Sequence, residues 1–422
     1  MSKNNYPKDW STATIKNLTQ RFLNGGTPST HIKEYWDGDI PWITGADAEQ
    51  RITITSRKTI TELGVKRSST NIVPKGNILL VTRTGVGKVS MAGVDVAISQ
   101  DLTGIIPRVD LIDVPYFYYQ LAQIASDLKS FAQGSIIQGI KREQVEAIEI
   151  PLPELTEQRV IAEILSTLDE SIAKSESLVR KYQSLKQGLM SDLLTRGVDE
   201  NGELRDAADT IDALYGYIPR RWRHQLLGEI AVVGNGVTLG RKVSGSDSVE
   251  LAYLRVANVK DGYLDLSEIK QVRVYKAEVD RYLLQPGDVL MTEGGDFDKL
   301  GRGTVWEGQI KNCLHQNHIF RVRVNRKVLH PNFLSFVTGS PYGKRFFVLH
   351  SKQTTNLASI NSTQIKSFPV PLPELDEQER ILAIADGIDE TIDKEARNLV
   401  KLNLLKQGLM QDLLSGQVRV KV

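Results

Sequence analysis

Apolar positions recur in alternating steps of four and three along residues 151–198, and the same pattern returns along residues 371–418 without a gap in the alignment. About half of the aligned positions in these two stretches are identical. A step that averages 3.5 residues is typical of a helix with one apolar seam, as in coiled coils. The repeat therefore predicts two long helices, each roughly 60 Å long at about 1.5 Å per residue.

The seam of each predicted helix consists mainly of aliphatic residues, which we expect to pair the two helices. They are Ile161, Leu165, Leu168, Ile172, Leu189 and Leu193 in the first copy, and Ile381, Ile388, Ile392, Leu402, Leu409 and Leu413 in the second. Lys186 and Lys406 interrupt the seam at matching places. Either these lysines fix the register of pairing, or the seam drifts by one residue to Leu185 and Leu405 and leaves the lysines at its edge. The drift is the simpler interpretation.

Local signals define the ends of both helices. Pro151 and Pro153 break the preceding element, and Thr156 and Asp376 are residue types that favour the N-cap position. Gly197 and Gly416 are suited to stop the helices at their carboxyl ends. Two equivalent helices in one chain make equivalent contacts most simply when they pair antiparallel, related by a pseudo-two-fold axis. We hold that arrangement as a hypothesis.

The repeat also includes the segment that precedes each helix. Pro7 and Trp10 return as Pro219 and Trp222, with the same spacing between proline and tryptophan. Short runs rich in Val, Ile and Thr between glycines predict strands, and one helical stretch follows near the end of each segment. The predicted fold class is α+β, with two mixed, mostly-strand domains separated by two long helices. The predicted divisions are a first domain at 1–150, a helix at 151–198, a linker at 199–213, a second domain at 214–370, a helix at 371–418 and a tail at 419–422.

Charge is divided unevenly along the chain. The net charge of the whole chain is only +2. The second domain has 22 basic and 13 acidic residues, net +9, whereas residues 151–213 have 7 basic and 13 acidic residues, net −6. A basic domain suits a polyanion such as nucleic acid. The single cysteine excludes an intramolecular disulfide, and no apolar run is long enough to span a membrane. These features predict a cytoplasmic protein.

Several motifs resemble enzyme or metal sites but lack residues that those sites require. The stretch from Thr84 to Val89 resembles a phosphate-binding loop but lacks its first glycine and its Ser or Thr. Cys313, His315 and His318 lack a fourth zinc ligand, and the ligands would point to both faces of a strand. The carboxylates at Asp288, Glu293, Asp296 and Asp298 lack the pattern of a nuclease site. The sequence therefore predicts no catalytic, cofactor-binding or metal-binding residues.

Side chains able to hydrogen-bond base edges or phosphates are Arg, Lys, Asn and Gln, and several lie in polar loops of the predicted domains. The candidates in the first domain are Arg83, Lys88, Gln138, Lys141 and Arg142. Those in the second domain are Arg255, Asn258, Lys260, Lys299, Arg302, Lys352 and Asn356. For the glycine-rich loop at 294–303, an ordinary solvated hairpin remains an equal alternative.

The duplicated motifs resemble those of the specificity subunit of type I restriction-modification systems, across essentially the whole chain. They are Pro-Leu-Pro-Glu-Leu followed by Glu157-Gln158 or Glu377-Gln378, and Leu-Lys-Gln-Gly-Leu-Met at 185–190 and 405–410. Residues 40–44 and 217–222 add to the resemblance.

The resemblance implies a non-catalytic subunit with two target-recognition domains, each reading one half of a bipartite double-stranded DNA site. It implies that the long helices form an antiparallel coiled coil, which sets the spacing of the half-sites and docks two adenine methyltransferase subunits. The resemblance also implies that two motor-nuclease subunits can join the complex. S-adenosylmethionine, ATP and Mg would belong to those partners. The absence of an Asn-Pro-Pro-Tyr type motif agrees with that division. The alternative is a coiled-coil scaffold that binds DNA without sequence specificity.

Overall fold

The computed structural model describes residues 6–124, 139–295, 300–301, 303–353 and 358–421. The chain divides into two compact units. Unit 1 comprises Met1–Ser177 and Ala396–Val422, and unit 2 comprises Leu178–Glu395. Both boundaries fall inside the long helices, so each unit contains one half of each helix.

Unit 1 begins with short strands and short helices that lead into the first long helix. Its strands are β1 Ser11–Thr14, β2 Thr19–Asn24, β3 Trp36–Ile43, β4 Ile52–Thr53, β5 Thr59–Ile60, β6 Ile72–Val73, β7 Ile78–Val81, β8 Val89–Ala92, β9 Val96–Ile98, β10 Leu102–Pro107 and β11 Glu149–Leu152. Its helices are α1 Ile15–Leu18, α2 Glu62–Lys66, α3 Val114–Gln123, α4 Arg142–Glu146 and the start of the long helix α5 Leu155–Arg196.

Unit 2 continues from α5 through a second set of strands to the second long helix. Its strands are β12 Thr210–Ala213, β13 Gly216–Pro219, β14 Arg223–Leu226, β15 Ala231–Asn235, β16 Ser248–Leu254, β17 Lys270–Tyr275, β18 Asp288–Thr292, β19 Gly294–Gly295, β20 Gly303–Trp306, β21 Leu314–His315, β22 Ile319–Val324, β23 Lys352–Gln353, β24 Ala358–Ser359 and β25 Pro369–Leu372. Its helices are α6 Leu227–Ile230, α7 Val279–Tyr282, α8 Pro331–Gly339, α9 Pro341–His350, α10 Ser362–Lys366 and the long helix α11 Leu375–Ser415.

The main sheets of the two units are built from equivalent strands in the same order. In unit 1 the strand order is β2-β10-β7-β8-β4, and in unit 2 it is β15-β22-β18-β20. Smaller sheets, β5-β3-β9-β6 in unit 1 and β17-β16-β21 in unit 2, contain the equivalent parallel pairs β3–β9 and β16–β21. One apolar face of each main sheet is covered by a helix, α3 or α8, which buries aromatic residues such as Tyr116 and Phe333 completely. The α+β class predicted from the sequence is confirmed.

The segment predicted as a linker contains ordered structure. Strand β12 pairs antiparallel with β13, and Val198 forms a bridge with Leu204. The N-cap positions predicted at Thr156 and Asp376 are wrong. The helices begin at Leu155 and Leu375, because the carbonyls of Glu154 and Glu374 already accept the first helical hydrogen bonds. Their ends agree with prediction, since Gly197 and Gly416 follow with φ values of +65° and +74°.

A buried glutamate near the start of each long helix joins three parts of its unit. In unit 1, Glu157 accepts hydrogen bonds from the Trp10 indole (3.2 Å) and from Arg419 Nε (2.7 Å). In unit 2, Glu377 accepts from the Trp222 indole (3.1 Å) and pairs with Arg205 (2.5 Å). Each arginine follows the end of the other long helix. The same three residue types therefore hold together a domain opening, one helix start and the other helix end in both units.

The seam residues nearest the helix ends lie in the cores of the units. In unit 1, Ile161 and Leu165 share a core cluster with Leu413, and Leu409 packs against it. In unit 2, Leu193 shares a core cluster with Ile381. The remaining seam residues are buried or half-buried: Leu168, Ile172, Leu189, Ile388, Ile392 and Leu402.

The lysines that interrupt the seam form ion pairs with the other long helix. Lys406 Nζ lies 2.6 Å from Asp169 in unit 1, and Lys186 Nζ lies 2.5 Å from Asp389 in unit 2. Asp169 and Asp389 occupy equivalent positions in the two repeats, as the two lysines do. The predicted drift of the seam to Leu185 and Leu405 is wrong. These leucines are 54% and 53% exposed, because the aspartates hold the lysines towards the partner helix.

Within the described residues, no helix is both long enough and apolar enough to cross a membrane.

Candidate nucleic-acid interface

Backbone hydrogen bonds gather three loops at one end of the main sheet of unit 1. The Thr82 amide donates to the Asp101 carbonyl (2.8 Å), and the Ile140 amide donates to the Thr82 carbonyl (2.8 Å). These bonds join the loop that follows β7, the turn that precedes β10 and the segment that precedes α4. We call residues 82–88, 99–101 and 139–141 loop cluster 1.

Unit 2 repeats this arrangement with different side chains. The Glu293 amide donates to the His318 carbonyl (2.9 Å), and the Ile360 amide donates to the Glu293 carbonyl (2.7 Å). Glu293 thus takes the place of Thr82 in the second copy. We call residues 293–295, 316–318 and 358–361 loop cluster 2. The backbone frame is shared, whereas the side chains that it presents are not.

Close backbone packing beside both clusters requires glycine. A Cβ on Gly25 would lie 1.7 Å from the Ser99 carbonyl oxygen, and one on Gly236 would lie 2.1 Å from the His315 carbonyl oxygen. These glycines are also equivalent, because Gly25 precedes Thr82 by the same interval along the chain as Gly236 precedes Glu293. The sequence signal was available as this matched pair of glycines, but their role becomes evident only from the tertiary contact.

Two of the predicted DNA-contacting residues in loop cluster 1 are exposed cations. Arg83 and Lys141 are both exposed, and neither forms an ion pair within the described residues. Arg83 lies directly after β7, and its amide is fixed by the Asp101 carbonyl (3.2 Å). Both cations are therefore available to a phosphate or to a base edge.

The other two described candidates of the first domain already have partners. Lys88 pairs with Glu49 (3.3 Å) and donates to the Gly45 carbonyl, which holds the loop after β3 beside loop cluster 1. Arg142 pairs with Glu146 (2.6 Å) and lies over the Phe22 ring at 4.7 Å. The structure thus places Lys88 in loop cluster 1 and Arg142 beside it, but gives both internal contacts.

In unit 2, Lys352 is an exposed cation on a strand joined to loop cluster 2. It lies on β23, which pairs with β24, and β24 pairs with β19 of the cluster. Lys352 has no ion-pair partner within the described residues. The short sheet β19-β24-β23 brings this lysine to the same end of the unit.

The loop after β16 contains three further candidates, and one of them does not fit a base-reading role. Asn258 is only 3% exposed, and its amide donates to the Asp265 carbonyl (2.8 Å) and the Glu268 carbonyl (3.0 Å). Its side-chain oxygen accepts from the Arg255 amide. Arg255 pairs with Glu268 (3.3 Å), whereas Lys260 is half-buried. Asn258 is therefore a loop-stabilising residue, because burial and three internal hydrogen bonds occupy its amide.

Four predicted residues lie outside the described residues. They are Gln138, Lys299, Arg302 and Asn356.

The sequence did not single out the pair formed by His318 and Glu293 in loop cluster 2. His318 Nδ1 contacts Glu293 Oε2, and both side chains reach solvent. The side chain of Gln316, in the same cluster, accepts from the Val256 amide and so links the loop after β16. The predicted alignment of Gln316-Asn317 with Gln100-Asp101 is wrong by one residue, because the shared backbone bond makes His318 equivalent to Asp101.

The described residues contain no group of three or more potential metal ligands. Cys313 is buried, and burial raises the pKa of its thiol to about 12. His315 is fully buried, and burial lowers the pKa of its imidazole to about 4. Its Nδ1 bonds the Ile319 carbonyl (2.9 Å), so both side chains belong to the core of unit 2.

Comparisons with known proteins agree on one family. The profile described as type I restriction modification DNA specificity domain matches residues 7–181 and 219–404. The MjaIX specificity subunit of a type I restriction enzyme from Methanocaldococcus jannaschii is 25% identical, over 98% of this chain and 95% of that protein. The EcoKI specificity subunit of Escherichia coli is 27% identical, over 69% of this chain and 62% of that protein.

Two solved structures share the fold. The S subunit of a type I restriction-modification system from M. genitalium is 16% identical with a TM-score of 0.56, covering 98% of this chain and 97% of that one. A chain from a structure of a type I R-M system is 16% identical with a TM-score of 0.59, covering 98% and 99%.

Proposed function

Because the chain belongs to the type I restriction-modification DNA specificity family, we propose that it reads a bipartite DNA site, one half with each of its two domains. The family assignment identifies a DNA-specificity component, not a catalytic subunit. One observation carries the proposal. The same backbone frame, centred on Thr82 in unit 1 and on Glu293 in unit 2, presents different side chains. Two domains that share one backbone arrangement but present different side chains would recognise two different half-sites.

The domains in this proposal are those predicted from the sequence, at 1–150 and 214–370. Arg83 and Lys141 would contact DNA in the first domain, and Lys352 in the second. Their support is exposure together with the lack of an ion-pair partner among the described residues. A cation already neutralised by a neighbouring carboxylate, such as Arg142, contributes less to phosphate binding.

The long helices would pair as an antiparallel coiled coil that sets the spacing between half-sites. Two contacts support this pairing. Lys406 meets Asp169 in unit 1, and Lys186 meets Asp389 in unit 2. In each pair, a residue late in one helix contacts a residue early in the other, which is the order expected of antiparallel helices.

The helices would also dock two methyltransferase subunits, and the complex could further recruit two motor-nuclease subunits. S-adenosylmethionine, ATP and Mg would then be bound by those partners.

The experiment that tests the proposal is a methylome. The chain is expressed with its companion methyltransferase in a host without DNA methylation, and the DNA is sequenced for modified adenine. The expected result is modification within a motif of two short half-sites separated by a fixed spacer. An undivided motif would contradict reading by two domains. No modification, with an active and bound methyltransferase, would favour the scaffold alternative.

Variants test which domain reads which half. We expect Arg83→Ala to weaken or relax one half-site and Lys352→Ala to affect only the other, by about 1–3 kcal/mol for a base contact. Lys66→Ala is the matched control, because Lys66 is an exposed lysine that pairs with Glu62 on α2. If both test variants changed the same half-site, or neither changed methylation, these assignments would be wrong.

A further inference from the structure

The side chain at the centre of the shared backbone frame differs between the two units. In unit 1 it is Thr82, which is only 6% exposed and whose hydroxyl lies 3.4 Å from the Asp101 carbonyl oxygen. In unit 2 it is Glu293, whose amide donates to the His318 carbonyl (2.9 Å) and whose carbonyl accepts from the Ile360 amide (2.7 Å). The Glu293 side chain is 33% exposed. The same backbone position therefore buries a hydroxyl in unit 1 and presents a carboxylate to solvent in unit 2.

The residue that follows this position also differs. In unit 1 it is Arg83, an exposed cation without an ion-pair partner within the described residues. In unit 2 it is Gly294, where a Cβ would lie 2.6 Å from the Ala358 carbonyl oxygen. A side chain does not fit there, because β19 pairs with β24 at this point. At this end of its main sheet, unit 2 therefore has the Glu293 carboxylate where unit 1 has a guanidinium.

The imidazole of His318 holds this carboxylate in place. His318 Nδ1 contacts Glu293 Oε2, and Nδ1 carries the hydrogen because an ionised carboxylate only accepts hydrogen bonds. The backbone of His318 is itself fixed, since it directly precedes β22, whose first residue Ile319 is fully buried. Glu293 Oε1 has no hydrogen-bond partner within the described residues. One carboxylate oxygen is therefore held by the protein, and the other is available to accept from a ligand.

A carboxylate at this place opposes DNA binding through phosphates but suits one class of base contact. The second domain has 22 basic and 13 acidic residues, net +9, which attract the phosphate backbone, whereas Glu293 repels it. In the major groove, the usual partner of a Glu or Asp side chain is the N4 amino group of cytosine. An arginine such as Arg83 suits the two acceptors of guanine instead. Replacing a guanidinium by a carboxylate therefore changes the base that fits from guanine to cytosine.

We propose that Glu293 reads a cytosine in the half-site of the second domain, and that His318 is the residue that positions its carboxylate. Glu293 Oε1 accepts a hydrogen bond from the N4 amino group of that cytosine, while His318 holds Oε2. A carboxylate fixed in this way loses little conformational freedom when it meets the base, which favours discrimination between bases. The inference rests on the proposed function, and it adds a base identity to one position of the target.

The methylome of the chain with its companion methyltransferase tests the role of Glu293. Glu293→Gln should admit adenine at one position where the unaltered chain requires cytosine, because an amide pairs with adenine N6 and N7. Methylation of the cytosine-containing sites should fall by about tenfold or more. The change should lie in the half-site that Arg83→Ala leaves unaltered. Glu307→Gln is the matched control and should change nothing, since Glu307 is an exposed carboxylate beside Trp306, at the opposite end of β18 from Glu293.

The outcomes separate this inference from the proposed function. A bipartite target without a required cytosine in that half-site, or a target that Glu293→Gln leaves unchanged, would overturn the inference and leave the proposed function intact. An equal change with Glu307→Gln would overturn it too, because the effect would then be one of general charge. An undivided target of the unaltered chain would overturn the proposed function, and this inference with it.

A modified duplex tests the same contact on the unaltered chain, so the result does not depend on the folding of a variant. N4-methylcytosine is placed at each cytosine of the half-site in turn, where it keeps base pairing but replaces the amino hydrogen that faces the major groove. Binding by the complex of chain and methyltransferase, measured by fluorescence anisotropy, should weaken about tenfold or more at one of these cytosines. Unchanged binding at all of them would overturn the inference.

His318→Ala and His318→Asn test the positioning role. Alanine removes the donor that holds Glu293 Oε2, so the preference for cytosine over the other bases should fall, measured as the ratio of methylated sites in the methylome. Asparagine offers an amide donor in place of the imidazole Nδ1 and should restore that preference. A purely structural loss at His318 would lower methylation at all sites alike without changing the ratio, and that result would overturn the positioning role.

Discussion

The two matched carboxylates on the long helices should differ sharply in their contribution to stability. Asp169 is 13% exposed, and it contacts Lys406, Arg51 and the Tyr119 hydroxyl. Asp389 is 47% exposed and pairs with Lys186 alone. We therefore expect Asp169→Ala to destabilise unit 1 far more than Asp389→Ala destabilises unit 2.

The magnitude follows from these contacts. Hydrogen bonds to a charged group contribute roughly 1.5–3 kcal/mol, and removing Asp169 leaves two partly buried cations without their carboxylate. Allowing for their partial exposure, Asp169→Ala should lower the free energy of unfolding by about 3 kcal/mol. An exposed single pair contributes roughly 0.2–1 kcal/mol, so Asp389→Ala should cost about 0.5 kcal/mol. The change in helix propensity is the same in both variants and cancels in the comparison.

Urea unfolding followed by tryptophan fluorescence measures these losses. Trp10, Trp36 and Trp42 report on unit 1, whereas Trp222 and Trp306 report on unit 2. Losses of equal size in the two variants would refute the reasoning.

A double-mutant cycle of Asp169→Ala with Tyr119→Phe should also show a coupling energy of about 1 kcal/mol. Additive effects would show that the Tyr119 hydroxyl does not support the carboxylate.

Three further changes test other parts of the molecule. Glu377→Ala should destabilise unit 2 by about 3–5 kcal/mol in urea unfolding, since it leaves Arg205 without its buried partner; a loss below about 1 kcal/mol would contradict this role. Gly408→Ala should raise the free energy of unfolding by about 1 kcal/mol, because a Cβ there meets open space, whereas Gly416→Ala should lower it, because φ is +74° and a Cβ would lie 2.6 Å from Pro7. The folded pKa of His315 is about 4 against about 6.5 unfolded, so the unfolded state binds the proton first as the pH falls through this window. Stability should then drop by about 2 kcal/mol between pH 7 and pH 5, and His315→Leu should remove that part of the pH dependence, which unfolding at both pH values measures.

Much of the architecture could be read from the sequence, because the signals were local and occurred twice. The period of 3.5 residues predicted the long helices, and Gly197 and Gly416 predicted their ends. Matched landmarks such as Trp10 and Trp222 predicted that the repeat includes the preceding domains. Helix period and helix stop depend on neighbouring residues, so one sequence is sufficient to reveal them.

The exposure of the candidate DNA-contacting residues could not be predicted from the sequence, because residue type does not determine exposure. Arg83, Lys141 and Lys352 are exposed cations. Asn258, which is equally capable of pairing with a base, is buried and bonded to its own loop. Only the folded path of the chain around a residue decides whether its side chain is exposed or is buried and hydrogen-bonded.

The sequence by itself determined a duplicated chain with two apolar helix seams, charged domains and the motifs of one family. Tertiary structure alone decided that Lys186 and Lys406 meet Asp389 and Asp169, and that Arg51 ties the edge strand β4 to the first long helix. The reason is physical. Periodicity and capping are set by interactions within a few residues, whereas these contacts join side chains that are far apart along the chain, and only the packing of the whole unit brings them within reach.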